Sequence, residues 1–256
     1  MKTMFFTDRL KTLILCAGLI LLCQVCHAEN IVIYGGDSFD PQTYLDNGKP
    51  AGVIPALFAR ISKDTGDTYT FKLLPWKRAI AESAQGKGGI VSFTLNAERA
   101  KNYDFSEPTY QNKVRLMVLK ENSFSFNTLA DLNGLVVGFP LGSSFGDAFD
   151  AAVANKKIIA ETDTNQVSRL KKLLLGRIDV AILGSSSFQK VVVTDPLLLA
   201  NKDRFKALPN PLLEDWLYLA FAKQMQMKPA LERFNKSLIA LKKSKEYDAI
   251  VSQYSH

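Results

Sequence analysis

Hydrophobic and polar residues follow two kinds of spacing in the first half of the chain. Residues 31–34 and 68–74 are β-branched or alternating apolar runs that predict strands. Residues 53–62 and 76–83 have apolar side chains at helical spacing and predict helices. Because strands that alternate with helices usually pair in parallel, the pattern predicts a parallel sheet with helices on its faces.

The same pattern begins again after a further strand predicted at residues 114–119. Strands are then predicted at 135–139 and 179–183, and helices at 144–154 and 165–175. This second run of elements predicts a second lobe with its own small sheet.

The last part of the chain predicts one more strand, at residues 216–222, followed by helices. These begin with a core-facing apolar stripe of Leu231, Phe234, Leu238 and Leu241. Two strands, near 114–119 and 217–222, are therefore expected to join the lobes and to let them hinge about a cleft. The expected boundaries are 1–28 for a signal peptide, 29–118 for the first part of lobe 1, 119–210 for lobe 2, and 211–256 for the return to lobe 1.

The first 28 residues have the layout of a cleavable secretory signal. A basic stretch precedes an apolar run at 13–22, which is about half as long as a membrane span, and small residues precede Glu29. We expect cleavage after Ala28 and a periplasmic protein. A lipoprotein would need small residues before an acylated cysteine, but bulky residues precede Cys23 and Cys26. An uncleaved anchor would need a longer apolar run.

Cleavage would remove every cysteine and one of the two histidines. Cys16, Cys23, Cys26 and His27 all lie in the signal segment, and His256 is the last residue. The mature chain would have no disulfide, no cysteine nucleophile and no thiolate metal site. It would also lack an imidazole in its body, the commonest general base and transition-metal ligand. No metal and no cofactor are therefore expected.

The charge of the chain is mildly basic. The formal net charge of +7 falls to +5 when three basic residues and one acidic residue leave with the signal. The lysines are scattered, so no nucleic-acid partner is expected.

Residues 142–146 match the G-x-S-x-G pattern of a hydrolase nucleophile. A nucleophilic serine needs a base within reach, and His256 is the only histidine left after cleavage, which argues against a hydrolase. Two other interpretations stay open. Ser144 and nearby N–H groups at a helix start bind an anion, or Ser143 or Ser144 caps the helix.

Hydrogen-bond donors follow the strand predicted at residues 89–92. Ser92 and Thr94 lead into Arg99, whose guanidinium is suited to holding a carboxylate bidentately. The alternative for Arg99 is a surface ion pair with Glu98 or Asp104. Two aromatic residues, Trp76 and Phe39, are candidates for a pocket wall or for the core.

Together these segments resemble the extracellular solute-binding protein family 3, the periplasmic amino-acid-binding components of ABC importers. The resemblance runs through nearly the whole mature chain, in residues 41–49 with Gly52, 96–99 with 104–108, 129–138 with 142–144, and 175–180. It implies an α/β fold of the two-lobed periplasmic binding protein type (type II). Two small sheets flanked by helices would be joined by two hinge strands.

The resemblance also implies a role for each candidate residue. Phe39 and Trp76 would form the aromatic wall, Ser92 and Thr94 would face the ligand, Arg99 would clamp its carboxylate, and Ser144 would add helix-start donors. Asn96 stands where the family usually has threonine. Gly184 stands where it usually has the acid that pairs with the ligand's amino group.

Two consequences of Gly184 stay open. Another acid reaches the same point, with Asp37, Asp40 and Asp147 as the nearest candidates, or the ligand has no α-ammonium. A buried ammonium without an acceptor is costly, and we slightly favour the second consequence.

The resemblance implies a monomer that delivers a small carboxylate-bearing solute to an inner-membrane ABC permease. An exported enzyme of the dehydratase type and a ligand-binding sensor are the alternatives on the same scaffold.

Overall fold

A computed structural model describes residues 28–184 and 187–254. The expected signal peptide up to His27, with its cysteines, and the terminal His256 lie outside the described residues. The strands are β1 Asn30–Gly36, β2 Ser38–Phe39, β3 Thr43–Asp46, β4 Lys49–Ala51, β5 Thr68–Leu74, β6 Gly89–Thr94, β7 Tyr103–Phe105, β8 Tyr110–Leu119, β9 Val136–Pro140, β10 Ile159–Asp163, β11 Val180–Gly184, β12 Phe205–Ala207 and β13 Leu213–Ala222.

Helices occupy most of the predicted helical segments. They are α1 Val53–Thr65, α2 Trp76–Ala84, α3 Ala97–Asn102, α4 Asp147–Ala154, α5 Gln166–Leu174, α6 Ser187–Val192, α7 Pro196–Ala200, α8 Lys228–Lys242 and α9 Lys245–Ser252. Within the described ranges, no helix combines the length and apolar character needed to cross a membrane.

The predicted start of α4 at residue 144 is wrong. The helix begins at Asp147, and its N-cap is Gly146 with φ 90°. This left-handed backbone is easy only for glycine, so the chain cannot become helical until it has passed Gly146. Residues 143–146 form a loop before the helix instead.

Ten of the described strands form one continuous sheet, whose main path is β10-β9-β11-β8-β13-β6-β1-β5, with β12 paired to β8 and β7 paired to β13. The strands β2, β3 and β4 form a separate antiparallel sheet. The predicted parallel pairing is confirmed on both sides, for β5 and β6 with β1 and for β10 and β11 with β9. β8 and β13 pair antiparallel in the middle. These two strands therefore connect two parallel groups, as expected for hinge strands.

Each parallel group has its own hydrophobic core. The predicted stripe of α8 is buried in the first core, where Phe234 packs on Phe58 of α1 with ring centroids 4.8 Å apart. Val114 in β8 already belongs to the second core, and Leu219 in β13 belongs to the first. The chain thus passes from one hydrophobic core to the other within the two hinge strands. The exact lobe boundaries stay a prediction.

Candidate functional site

A cleft lies between the two groups of strands, against one face of β8 and β13. It has about 700 Å³ of empty space, a volume that includes the part open to solvent. Six residues predicted from the sequence line it, namely Phe39, Trp76, Ser92, Thr94, Arg99 and Ser144. The fold thus brings the whole predicted set together, although its role in binding stays a prediction.

Neutral groups of its own lobe hold Arg99 in the cleft. The helix α3 begins after Asn96, whose side chain accepts a hydrogen bond from the Arg99 backbone N–H at 2.8 Å. The Nη1 atom of Arg99 donates to Thr94 Oγ1 at 2.5 Å and to the Thr94 carbonyl at 2.9 Å. The guanidinium carbon lies 4.0 Å from the centroid of the Phe93 ring. These contacts orient the guanidinium but do not neutralise its charge.

Arg99 makes no ion pair with a carboxylate among the described residues. The alternative of a pair with Glu98 is wrong, because Glu98 pairs with Lys101 at 3.1 Å, and Asp104 makes no pair with Arg99 either. Burial lowers the pKa of Arg99 to about 10, and the nearby carboxylates of Asp150 and Asp215 offset this only in part. The cation is therefore partly desolvated, and no described carboxylate pairs with it directly.

Buried polar atoms without partners surround the same space. Ser92 Oγ, Trp76 Nε1 and Gln166 Oε1 have no hydrogen-bond partner among the described residues. Buried polar groups are normally paired, and an unpaired one costs about 1 to 3 kcal/mol. Ser92 also adopts φ 55°, a strained backbone for a residue with a side chain. Strain and unpaired groups of this kind are concentrated at binding sites.

Trp76 is both a core residue and a cleft residue. It is 6% exposed and packs in a core cluster with Phe93, yet its ring lines the cleft beside Phe39 at 5.1 Å between centroids. The two interpretations of Trp76 from the sequence are therefore compatible. The ring gives the cleft a rigid apolar wall.

Ser144 is not a helix-start donor, and neither Ser143 nor Ser144 caps α4, because the helix begins after Gly146. The hydroxyl of Ser144 donates to Asp150 Oδ2 at 2.5 Å and accepts from Asn96 Nδ2 at 2.9 Å. Asn96 lies in the first lobe and Ser144 in the second, so the hydroxyl joins the two sides of the cleft.

Further polar contacts close the cleft from opposite sides. Lys190 forms an ion pair with Asp40 at 3.0 Å, Gln166 donates to the Ser38 carbonyl at 2.7 Å, and Arg99 Nη2 lies 3.4 Å from the Gly142 carbonyl oxygen. The described conformation therefore has the two lobes in direct contact.

Two charged residues of the cleft were missed by the sequence analysis. Arg169 is 2% exposed and makes two hydrogen bonds to Asp163, at 2.6 and 3.0 Å. Asp215 lies on β13 and faces the cleft between Leu213 and Leu217. A polar residue in the middle of an apolar alternation was the available signal for Asp215.

Gly184 lines the cleft, at the position expected for it, and offers no side chain. Of the three proposed substitute acids, Asp40 lines the cleft, whereas Asp37 and Asp147 do not.

The comparison with known families decides the assignment. The profile of the bacterial extracellular solute-binding proteins, family 3, matches residues 31–256. The chain belongs to this family. The resemblance inferred from the sequence motifs is thereby confirmed.

Curated relatives are distant. The L-cystine-binding protein TcyJ of Escherichia coli K12 is 26% identical over 140 residues, covering 54% of this chain and 52% of the relative. The match thus spans about half the length of that protein. A probable histidine-binding protein of Campylobacter jejuni is 24% identical over 220 residues, covering 85% of this chain and 81% of the relative.

Solved structures confirm the two-lobed fold. An ancestral arginine-binding protein bound to arginine has a TM-score of 0.73 at 24% identity, covering 90% of this chain and all of that one. A histidine kinase sensor domain has a TM-score of 0.74 at 21% identity, covering 88% and 95%. An ancestral amino-acid-binding protein described as a precursor of cyclohexadienyl dehydratase has a TM-score of 0.68 at 21% identity, covering 89% and 96%.

Proposed function

We propose that the protein binds a small carboxylate-bearing solute in its interlobe cleft and that Arg99 holds the carboxylate. The observation that carries this proposal is the desolvated guanidinium of Arg99, which has neutral partners but no carboxylate among the described residues. An arginine in this state gains most from an anion, because a charge-assisted bond restores what burial removed.

The rest of the cleft supports a compact, partly polar ligand. Ser92 Oγ and Trp76 Nε1 would supply hydrogen bonds that the protein leaves unmade, and the rings of Phe39 and Trp76 would pack on the ligand's apolar part. Relatives named for cystine and histidine favour an amino acid or a related compound. We therefore place the ligand in this class.

We further propose export to the periplasm and delivery of the solute, by a monomer, to an ABC permease. The family assignment supports this role. The backbone nitrogen of Glu29 lies 3.0 Å from Oδ1 of the fully buried Asp67, which Arg233 also holds at 3.0 Å. Cleavage after Ala28 would turn this nitrogen into an ammonium that strengthens the contact. We expect the intact mass of the exported protein to correspond to a chain that starts at Glu29. A mass that includes residues 1–28 or a lipid would overturn the proposed export and cleavage.

A dehydratase is the second candidate function. It draws support from Asp215, a cleft carboxylate whose pKa burial raises, as suits a proton-transfer group. We propose binding without catalysis, because the relatives above are named as binding proteins. Mass spectrometry of the ligand before and after prolonged incubation tests this, and conversion of the ligand supports the enzyme.

A thermal-shift screen of the twenty L-amino acids, with their amides and the corresponding acids without an amino group, tests the binding function. A ligand that binds only the native state raises the melting temperature by mass action. We expect hits among compounds with a free carboxylate and none among the amides. Arg99→Ala should abolish the shift, whereas Arg78→Ala, which changes an arginine with a 69% exposed side chain in α2, should not. Equal shifts from acids and amides would refute the role of Arg99.

A further inference from the structure

One strand, β8, separates the position left without an acid at Gly184 from the hinge strand β13, a distance of about 10 Å across the sheet. Gly184 pairs with Val114 of β8, and Val114 pairs in turn with Leu213 of β13. Asp215 lies two residues beyond Leu213, about 7 Å along the strand. Side chains two residues apart point to the same face, and all four residues line the cleft.

Asp215 is a carboxylate of the cleft that forms no ion pair with any described residue. Its Oδ1 accepts from the Trp216 backbone N–H at 2.7 Å, but it has no ion pair among the described residues. Burial raises its pKa, and the Trp216 N–H and the charge of Arg99 lower it only in part. Its neighbour Glu214, on the other face, pairs with Lys113 at 2.9 Å.

The cleft therefore has two opposite charges that do not pair with each other. Arg99 and Asp215 influence one another electrostatically, but no ion pair joins them. A molecule with an anionic group at Arg99 and a cationic group at Asp215 would compensate both charges at once. A molecule with the carboxylate alone would leave Asp215 desolvated and unpaired, which is costly.

We infer that Asp215 binds the ammonium of a zwitterionic ligand and replaces, from the hinge strand, the acid that is absent at Gly184. The inference rests on the proposed binding function and selects amino acids within its ligand class. It also reverses the slight preference for ligands without an ammonium that we drew from Gly184 alone.

The other acid of the cleft is less suited to this role. Asp40 is already paired with Lys190 of the opposite lobe, at 3.0 and 3.1 Å from its two oxygens. A ligand ammonium at Asp40 would have to compete with this lysine. Asp215 has no such competitor among the described residues.

Calorimetry with a matched pair of probes tests the inference. The probes are the amino acid that gives the largest thermal shift and the corresponding acid in which hydrogen replaces the amino group. In the wild-type protein the amino acid should bind at least about tenfold more tightly, the effect of one charge-assisted hydrogen bond. This comparison needs no variant.

Asp215→Asn should remove the preference, because the amide has a similar shape but no charge. The variant should bind the amino acid about tenfold or more less tightly. Its affinity for the acid without an amino group should be unchanged or higher. Glu214→Gln changes the neighbouring acid on the other face of β13 and should change neither affinity. Binding of the acid without an amino group also shows that the Asp215→Asn cleft is intact.

Any of the following results would overturn the inference. The two probes bind wild-type protein equally, Asp215→Asn weakens both equally, or it changes neither. If neither probe binds wild-type protein, the proposed function itself fails. If the acid binds more tightly than the amino acid, the proposed function stands and the role of Asp215 does not.

Discussion

Two arginines line the same cleft, and the protein treats them in opposite ways. Arg169 makes two hydrogen bonds to Asp163 and a third, at 2.8 Å, to the Ile182 carbonyl. Among the described residues, the guanidinium of Arg99 makes hydrogen bonds only to neutral oxygen atoms. A buried cation with its own carboxylate is already satisfied, whereas one without a carboxylate has affinity left for a ligand. Arg169 is therefore a structural residue, and Arg99 is the candidate binding residue.

The local chain explains the difference between the two. Asp163 ends β10 and Arg169 lies in the first half of α5, so the ion pair fixes the helix to the sheet of its own lobe. Arg99 follows Thr94 at the end of β6, and its neighbours there are a hydroxyl and a carbonyl. The first arrangement provides a counter-charge, and the second provides only an orientation.

The largest effect is expected from Arg169→Ala, on stability. Removing one partner leaves Asp163 buried and unpaired, and this costs about 3 to 5 kcal/mol of the free energy of unfolding. Denaturant unfolding measures the loss, with the exposed Arg177→Ala as the control. A loss of ligand affinity without a loss of stability would make Arg169 a binding residue, and the two arginines would then no longer differ in role.

Arg99→Ala should act on binding instead. It leaves the ligand carboxylate desolvated without a partner, at a cost of about 2 to 5 kcal/mol in the free energy of binding. The free energy of unfolding should fall by less than in Arg169→Ala, because the loss of hydrogen bonds to neutral groups is offset by the removal of a desolvated cation. Calorimetry and denaturant unfolding of one preparation decide between the two effects. A large loss of stability with unchanged affinity would contradict the assignment.

Arg99→Lys should give an intermediate affinity. An ammonium keeps the charge but cannot make two parallel bonds to a carboxylate. Calorimetry should place its dissociation constant between those of the wild-type protein and Arg99→Ala. Wild-type affinity in the lysine variant would show that charge alone matters at this position.

Ser144→Ala tests the contact between the lobes. The change removes the bonds from Asn96 and to Asp150, and the half-buried partners regain water when the cleft opens. We expect a loss of about 0.5 to 1.5 kcal/mol in ligand binding. X-ray scattering with saturating amino acid should still show closure, since other contacts also join the lobes. A loss as large as that of Arg99→Ala would make Ser144 a direct ligand contact.

The smallest effect is expected from Asp215→Asn in the unliganded protein. Because burial raises the pKa of Asp215, its ionised form is less stable in the folded than in the unfolded chain. This penalty is present above the folded pKa and is lost as the pH falls below the unfolded value. At pH 7 the variant should therefore unfold at an unchanged or higher temperature. A clear decrease in the melting temperature would mean that Asp215 has a structural partner.

Local patterns predicted the fold and the first set of cleft residues well. The strands β1, β5 and β9 and the stripe of α8 follow from periodicity, and Arg99 follows from the donors before it. The start of α4 was wrong because one glycine, Gly146, holds a left-handed backbone that the apolar pattern does not reveal.

The missed residues depend on contacts between distant parts of the chain. Asp215 meets the cleft through its pairing with Asn112, about a hundred residues earlier in β8. A motif describes neighbours in the sequence, so it reports the missing acid at Gly184 but not its replacement from another strand. Arg169 was hidden for the related reason that burial and pairing are properties of the folded chain.

The central claim is that no described carboxylate pairs with Arg99 because the ligand supplies one. The most direct test is a calorimetric cycle with the best-binding amino acid and its amide, on wild-type protein and on Arg99→Ala. In the wild-type protein the amino acid should bind at least about tenfold more tightly than the amide. In Arg99→Ala the two should bind equally, because the group that distinguishes them is gone. The same preference for the carboxylate in both proteins would contradict the account.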